Sequence, residues 1–162
     1  MQSNRGFTLL ELLIVVALIG TLGAIALPVL FDASNRNAVW TASEQIGSQI
    51  RQARLKAVTR NTAFRVVFNC PAANQYRVLV VDANINDADR CTQYRTHDSG
   101  VYTMPVSMNY GAPANLEVNG RGQYSVVGGG ALPLTITVTH AGNGASRNFT
   151  VSITGQITFA AF

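Results

Sequence analysis

The sequence predicts an α+β protein in which one long amino-terminal helix, transmembrane at first and amphipathic later, packs on an antiparallel β-sheet or sandwich. Three observations lead there. Residues 12–31 carry no charge and a single hydroxyl, that of Thr21. From Ala42 onward small apolar residues recur at helical spacing. From Ala63 the period changes to two, and glycines punctuate the short apolar runs that follow.

The apolar run sets the topology. As a helix, twenty residues span about 30 Å, the thickness of a bilayer core. Charged residues make up 12% of the chain, and the deficit lies before Asp32, so the remainder reads as an ordinary polar domain. Arg5 lies on the amino-terminal side of the run and, by the positive-inside rule, stays in the cytoplasm while the rest is exported. A secretory signal peptide competes for the same residues, with Ala24–Pro28 as its cleavage region. Glu11 argues against it. A carboxylate at the entry of an apolar run costs about 2.5–3.5 kcal/mol at mid-membrane and less near the interface, so it marks a function and calls for a partner.

The residues Arg5-Gly6-Phe7-Thr8-Leu9-Leu10-Glu11-Leu12-Leu13 resemble the processing motif of type IV prepilins. The resemblance implies cleavage between Gly6 and Phe7 by a prepilin peptidase, and methylation of the new amino group on Phe7. It also implies that Glu11 pairs with the amino terminus of a neighbouring subunit in a filament. Physics is consistent with that role, because a buried carboxylate is tolerated only when paired. Gly20 and Pro28 also stand where this family commonly has a glycine and a proline.

Beyond the membrane segment the helix should continue. Ala42, Ile46, Ile50, Ala53 and Ala57 are spaced 4, 4, 3 and 4 and draw one apolar stripe, with Glu44, Gln45, Gln49, Arg51, Gln52, Arg54 and Lys56 on the other faces. One helix from about Thr8 to Thr59 is expected. Pro28 should kink it by removing a backbone hydrogen bond, and the polar stretch 32–37 should loosen it further. Strands are expected at Phe64–Phe68, Tyr76–Val81, Gln123–Val127, Leu134–Thr139, Arg147–Ile153 and Gln156–Phe159, all rich in Val, Ile, Thr, Tyr and Phe. Gln52-Ala53-Arg54, Ala57 and Asn61 before the first strand, and the tail hairpin ending Gly155-Gln156-Ile157, are similar to the H-type pseudopilin and FimT-type (GspH/FimT) group. The fold implied is pilin-like.

Catalytic and metal chemistry have little to stand on. His97 and His140 are far apart and read as surface or turn residues. No motif for a metal, a phosphate or a nucleophile is present. The alternating oxygen-bearing residues Asp82, Asn84, Asn86 and Asp89 resemble half of a calcium loop. Asp87 stands where that loop wants glycine and Gln93 where it wants glutamate, so the stretch reads as a solvated hairpin loop beside Cys91. No cofactor, metal site or enzymatic activity is expected. Cys70 and Cys91, in an exported domain, are expected to form one disulfide closing a loop over two strands.

Arg51, Arg54, Lys56, Arg60 and Arg65 are candidate phosphate contacts to DNA, weighed against the polar face of an amphipathic helix, which the sequence favours. FimT-like DNA binders are expected to carry arginines in the tail, whereas residues 155–162 here hold no cation.

The resulting expectation is a minor pilin or pseudopilin of a type II secretion pseudopilus or type IV pilus, placed at the tip and initiating assembly. The alternatives are a DNA-binding minor pilin for natural transformation and a membrane-tethered adhesin. Residues 1–6 would be a cleaved leader, 7–31 the transmembrane and filament-core helix, and 32–162 the exported helix and β-rich domain. Partners would be other pilin or pseudopilin subunits, the prepilin peptidase, the inner-membrane assembly platform and the membrane. The location would be the bacterial inner membrane, single-pass with the domain periplasmic, and afterwards the filament.

Overall fold

The computed structural model describes residues 8–160. They belong to two compact units, Met1–Asn35 and Arg36–Phe162. Helix α1, Leu9–Arg60, contributes to both and contains Pro28. The polar stretch 32–37, expected to loosen it, is helical throughout.

Within the first unit the helix keeps its large apolar side chains in the open. Leu9, Leu10, Leu12, Leu13, Ile25 and Phe31 are all exposed. Its most apolar window, with mean hydropathy 2.6, buries nothing. Such a helix is stable only where something apolar covers it, a bilayer or other helices.

The second unit is where the predicted stripe acts. Ala42, Ile46, Ile50, Ala53 and Ala57 are fully buried, joined by Val39, Ser43 and Gly47. Ser43 enters the core because its hydroxyl donates to the Val39 carbonyl at 2.7 Å, which satisfies the polar group locally. Gly47 is there for space: a Cβ would lie 3.0 Å from the Phe159 ring.

Among the described residues nine strands follow: β1 (Phe64–Phe68), β2 (Gln75–Val80), β3 (Tyr102–Thr103), β4 (Met108–Asn109), β5 (Leu116–Val118), β6 (Tyr124–Val126), β7 (Leu134–His140), β8 (Ser146–Val151) and β9 (Ile157–Phe159). They form two antiparallel sheets, ordered β3-β2-β1-β5-β6 and β4-β7-β8-β9. The helix stripe shares one core with Phe64, Val66, Tyr76, Val78, Leu116 and Val118 of the first sheet and with Ile136, Val138, Phe149 and Val151 of the second. The β1 register alternates as its sequence does, with Phe64, Val66 and Phe68 inward. Of the six expected strands β1 falls where expected, and the other five are present with ends shifted by at most two residues. β3, β4 and β5 are additional; at two or three residues each they are too short to show a period.

β2 departs from alternation. Arg77 and Leu79, on its other face, are as buried as Tyr76 and Val78. The cause is the segment 82–99, which folds back over that face.

Candidate assembly site

At the start of α1 the backbone N–H of Glu11 donates to the Thr8 hydroxyl at 3.2 Å, and Leu12 N–H donates to the Thr8 carbonyl. Thr8 is therefore the N-cap. Thr8-Leu9-Leu10-Glu11 is a capping-box sequence, a signal legible in the chain that the sequence reading did not use. Glu11 also places a negative charge in the first turn, where the helix dipole favours it. Its side chain is exposed and has no ion pair among the described residues. Gly6 and Phe7, the expected cleavage and methylation positions, lie outside the described residues.

The exported unit carries a second feature, a strapped loop. Cys70 and Cys91 are disulfide-bonded. The closed loop contains one strand, β2, rather than the two expected, because β1 ends at Phe68 before Cys70. For a 21-residue separation the chain-entropy estimate is about 3 kcal/mol. Two buried arginines hold the same segment. Arg77 Nη1 donates to the carbonyls of Cys91 and Gln93 at 2.6 and 2.8 Å, and its Nη2 donates to Ser99 at 3.1 Å. Arg90 grips Asp98 bidentately, at 2.7 and 2.9 Å, while Val80 and Arg95 N–H groups donate to the same carboxylate. Burial alone would raise the Asp98 carboxyl. The Arg90 and backbone hydrogen bonds and the Arg90 charge outweigh it and hold the group below the usual carboxylate range.

The stretch 82–89 is solvated as expected, with Asn84, Asn86, Asp87 and Asp89 exposed, and the continuation through 90–99 is what anchors it. The anchor is the buried Arg77 guanidinium of β2, whose donors go to loop carbonyls, with the Asp98 carboxylate 3.9 Å away and the Tyr94 ring against it. The other carboxylates serve the loop too. Asp82 pairs with Arg95, Asp87 accepts from Asn84, and Asp89 accepts from Gln93. Among the described residues no three metal-ligating side chains converge. His97 sits exposed in a turn; His140 ends β7, its Nδ1 accepting the Gly142 N–H.

The basic cluster is scattered by the fold. Arg65 leaves the helix group and forms an ion pair with Glu117 at 2.8 Å, with Asn86 as a further acceptor. Arg54 donates to the Gly122 carbonyl at 3.0 Å, and Arg51 lies 3.9 Å from Glu44. Lys56 and Arg60 have no ion pair among the described residues. In the tail, β9 lies along β8 and Phe159 packs beneath Arg147.

Two family patterns match this chain. Residues 1–27 match the prokaryotic N-terminal methylation motif, and residues 42–155 match the type II transport protein GspH. The chain belongs to the GspH family. Relatives and neighbours of this GspH-family chain agree. It is 31% identical to the pilin-like protein PilA1 of Thermus thermophilus, over 96% of this chain and 97% of that one. It is 29% identical to a fimbrial protein of Pseudomonas aeruginosa, over 74% and 77%. The solved type IV minor pilin FimU of Pseudomonas aeruginosa superposes with a TM-score of 0.57 at 14% identity, covering 79% of this chain and 92% of FimU. The minor pseudopilin EpsH of the Vibrio cholerae type 2 secretion system gives 0.54 at 14%, covering 76% and 96%. These two likenesses show the fold. The GspH-family chain is a pilin-type structural subunit that assembles with other such subunits, and its methylation motif and apolar helix make it a membrane-anchored one.

Proposed function

We propose that the chain is a minor subunit inserted in the bacterial inner membrane with its domain on the periplasmic side. A prepilin peptidase trims it between Gly6 and Phe7, Phe7 is methylated, and the assembly platform packs it into a pilus or pseudopilus. Its place is near the tip, where it helps initiate assembly. One observation carries the reading: an uncovered apolar helix entered by a carboxylate with no ion pair among the described residues, within the matched methylation motif of residues 1–27. In lipid the carboxylate is a cost. In a filament it gains the cationic amino terminus of Phe7 on the next subunit, and that difference favours the assembled state and sets axial register.

Glu11 also belongs to the helix cap, so the test must separate the two roles. Glu11→Gln keeps capping-box chemistry and removes the charge, whereas Thr8→Ala removes the cap and keeps the charge. Glu11→Gln and Glu11→Ala should insert in the membrane yet be missing from sheared filaments, and Thr8→Ala should be incorporated. Incorporation of Glu11→Gln at the wild-type level would contradict the pairing.

A further inference from the structure

β6 is the last strand of its sheet, and a groove lies along it. In the ladder with β5, the Asn119 N–H donates to the Gln123 carbonyl and the Val127 N–H to the Asn115 carbonyl. The pair Glu117–Ser125 falls between these two, so Ser125 turns its backbone groups to β5, while Tyr124 and Val126 turn theirs outward. Some of the outward groups are used. The Tyr124 N–H donates to the Ile153 carbonyl at 2.8 Å, and the Val126 carbonyl accepts from the Gly129 N–H at 3.1 Å. The Tyr124 carbonyl and the Val126 N–H have no hydrogen-bond partner among the described residues. Tyr124 and Val126 are 2% and 8% exposed, and backbone groups of residues so buried are almost always paired. A carbonyl and, two residues on, an N–H are what one residue of a parallel strand bonds, through its own N–H and carbonyl.

The groove beside this edge, of about 550 Å³, is walled by Val126, Leu132, Pro133 and Ile153, with Ile153 55% exposed. Arg54 stands beside the Tyr124 ring. A Cβ on Gly155 would lie 2.9 Å from Arg54 Cδ and 2.8 Å from Tyr124 Cε2, and one on Gly122 would lie 2.9 Å from Arg54 Nε. Both glycines have positive φ, +77° and +78°, and together they make room for the arginine. Arg54 Nε donates to the Gly122 carbonyl at 3.0 Å, which fixes the guanidinium. Its Nη atoms have no hydrogen bond or ion pair among the described residues. A fork held this way offers a carboxylate two parallel donors. Residues 45–81 and 118–162, which supply Arg54, Tyr124 and the groove, contain no Asp or Glu, and Arg121 adds an exposed cation in the turn that ends at Gly122. The local field therefore favours an anionic partner.

We propose that β6 takes an extended segment of a partner protein as a short parallel strand. One residue of the segment bonds the Tyr124 carbonyl and the Val126 N–H, an apolar side chain fills the groove, and an Asp or Glu pairs with Arg54. Gly122, which holds Arg54, precedes Tyr124 in the chain, so in a parallel segment the acid precedes the apolar residue. The backbone bonds give affinity, and the groove and Arg54 give specificity. A guanidinium fixed through Nε takes one carboxylate but cannot follow a run of phosphates, so the partner is a peptide and not a nucleic acid. The site lies wholly in the exported unit and holds whether or not the filament reading does.

The test uses the full chain in lipid nanodiscs and a display library of random peptides. Selected peptides should share an Asp or Glu followed within a few positions by Leu, Ile, Val or Phe. On Arg54→Gln, which keeps a donor for the Gly122 carbonyl, the acid should vanish from the selected sequences. On Ile153→Ser the apolar residue should vanish, and both variants should melt as wild type does. A selected peptide, labelled for fluorescence anisotropy, tests the same contacts without any change to the protein. Replacing its acid by the amide, reversing its order, or N-methylating it at one particular position should each weaken binding about tenfold. Acid-free selected peptides, unchanged selection on Arg54→Gln, indifference to N-methylation at every position, or no selected sequence would overturn the proposal. Displacement of the peptide by duplex DNA at physiological salt would assign Arg54 to phosphates and overturn it as well.

Discussion

At the residue scale, the strongest local commitment is the Arg90–Asp98 pair, 2% and 1% exposed. Breaking a buried pair leaves an uncompensated charge, which costs about 3–5 kcal/mol. Asp98→Asn should destabilise the exported unit by that order in urea titration of a chain beginning at Ser34. The pH dependence has a definite sign. The folded-state pKa of Asp98 is depressed below the unfolded one, so its stabilisation is fully present above the unfolded value near 4 and is lost as pH falls through the folded value. Wild type should lose stability more steeply than Asp98→Asn as pH falls below about 4. Parallel acid profiles would remove Asp98 from the account. Glu11, by contrast, is a residue whose neighbours among the described residues explain only its backbone; the proposed function gives its side chain a partner on the next subunit.

At the scale of elements, α1 was legible because a helix writes its environment into its spacing. Ala42, Ile46, Ile50, Ala53 and Ala57 at 3.6-residue period marked the buried face, and all are fully buried. The long strands β7 and β8 were legible for the same reason at period two. β3, β4 and β5 were not, since two or three residues carry no period and their pairing is decided by distant partners. The solvated character of the strapped loop was legible, but its anchoring was not, for a related reason. Asp82–Asp89 looks solvated by composition, yet the residues that dock it are Arg77 on a strand and Asp98 beyond it, and sequence spacing gives no hint of that meeting. The basic cluster shows the same limit, for Arg65 belongs to the sheet and Arg54 to a carbonyl. With Arg54 and Arg65 so occupied, few cations can track one phosphate backbone. The chain beginning at Ser34 should therefore bind duplex DNA only in the non-specific range, roughly 10⁻⁴–10⁻⁶ M, weakening as salt rises. Fluorescence anisotropy at two salt concentrations checks this. Sub-micromolar affinity lost in an Arg51→Ala/Arg54→Ala variant would favour a DNA receptor instead.

At the scale of the whole molecule, apolar surface among the described residues is left without cover in both units. The first unit exposes a helix that only lipid or other helices can cover. The second exposes Val106 and the apolar groove along β6. A pilin-type subunit that moves from bilayer to filament uses the first surface twice. The account turns on the amino terminus that this transfer requires. Peptide mass spectrometry of the chain recovered from sheared filaments tests it most directly. The account predicts a mature amino terminus at Phe7 carrying one methyl group, with Met1–Gly6 gone. A chain cleaved near Ala26 and recovered as free soluble protein would contradict it.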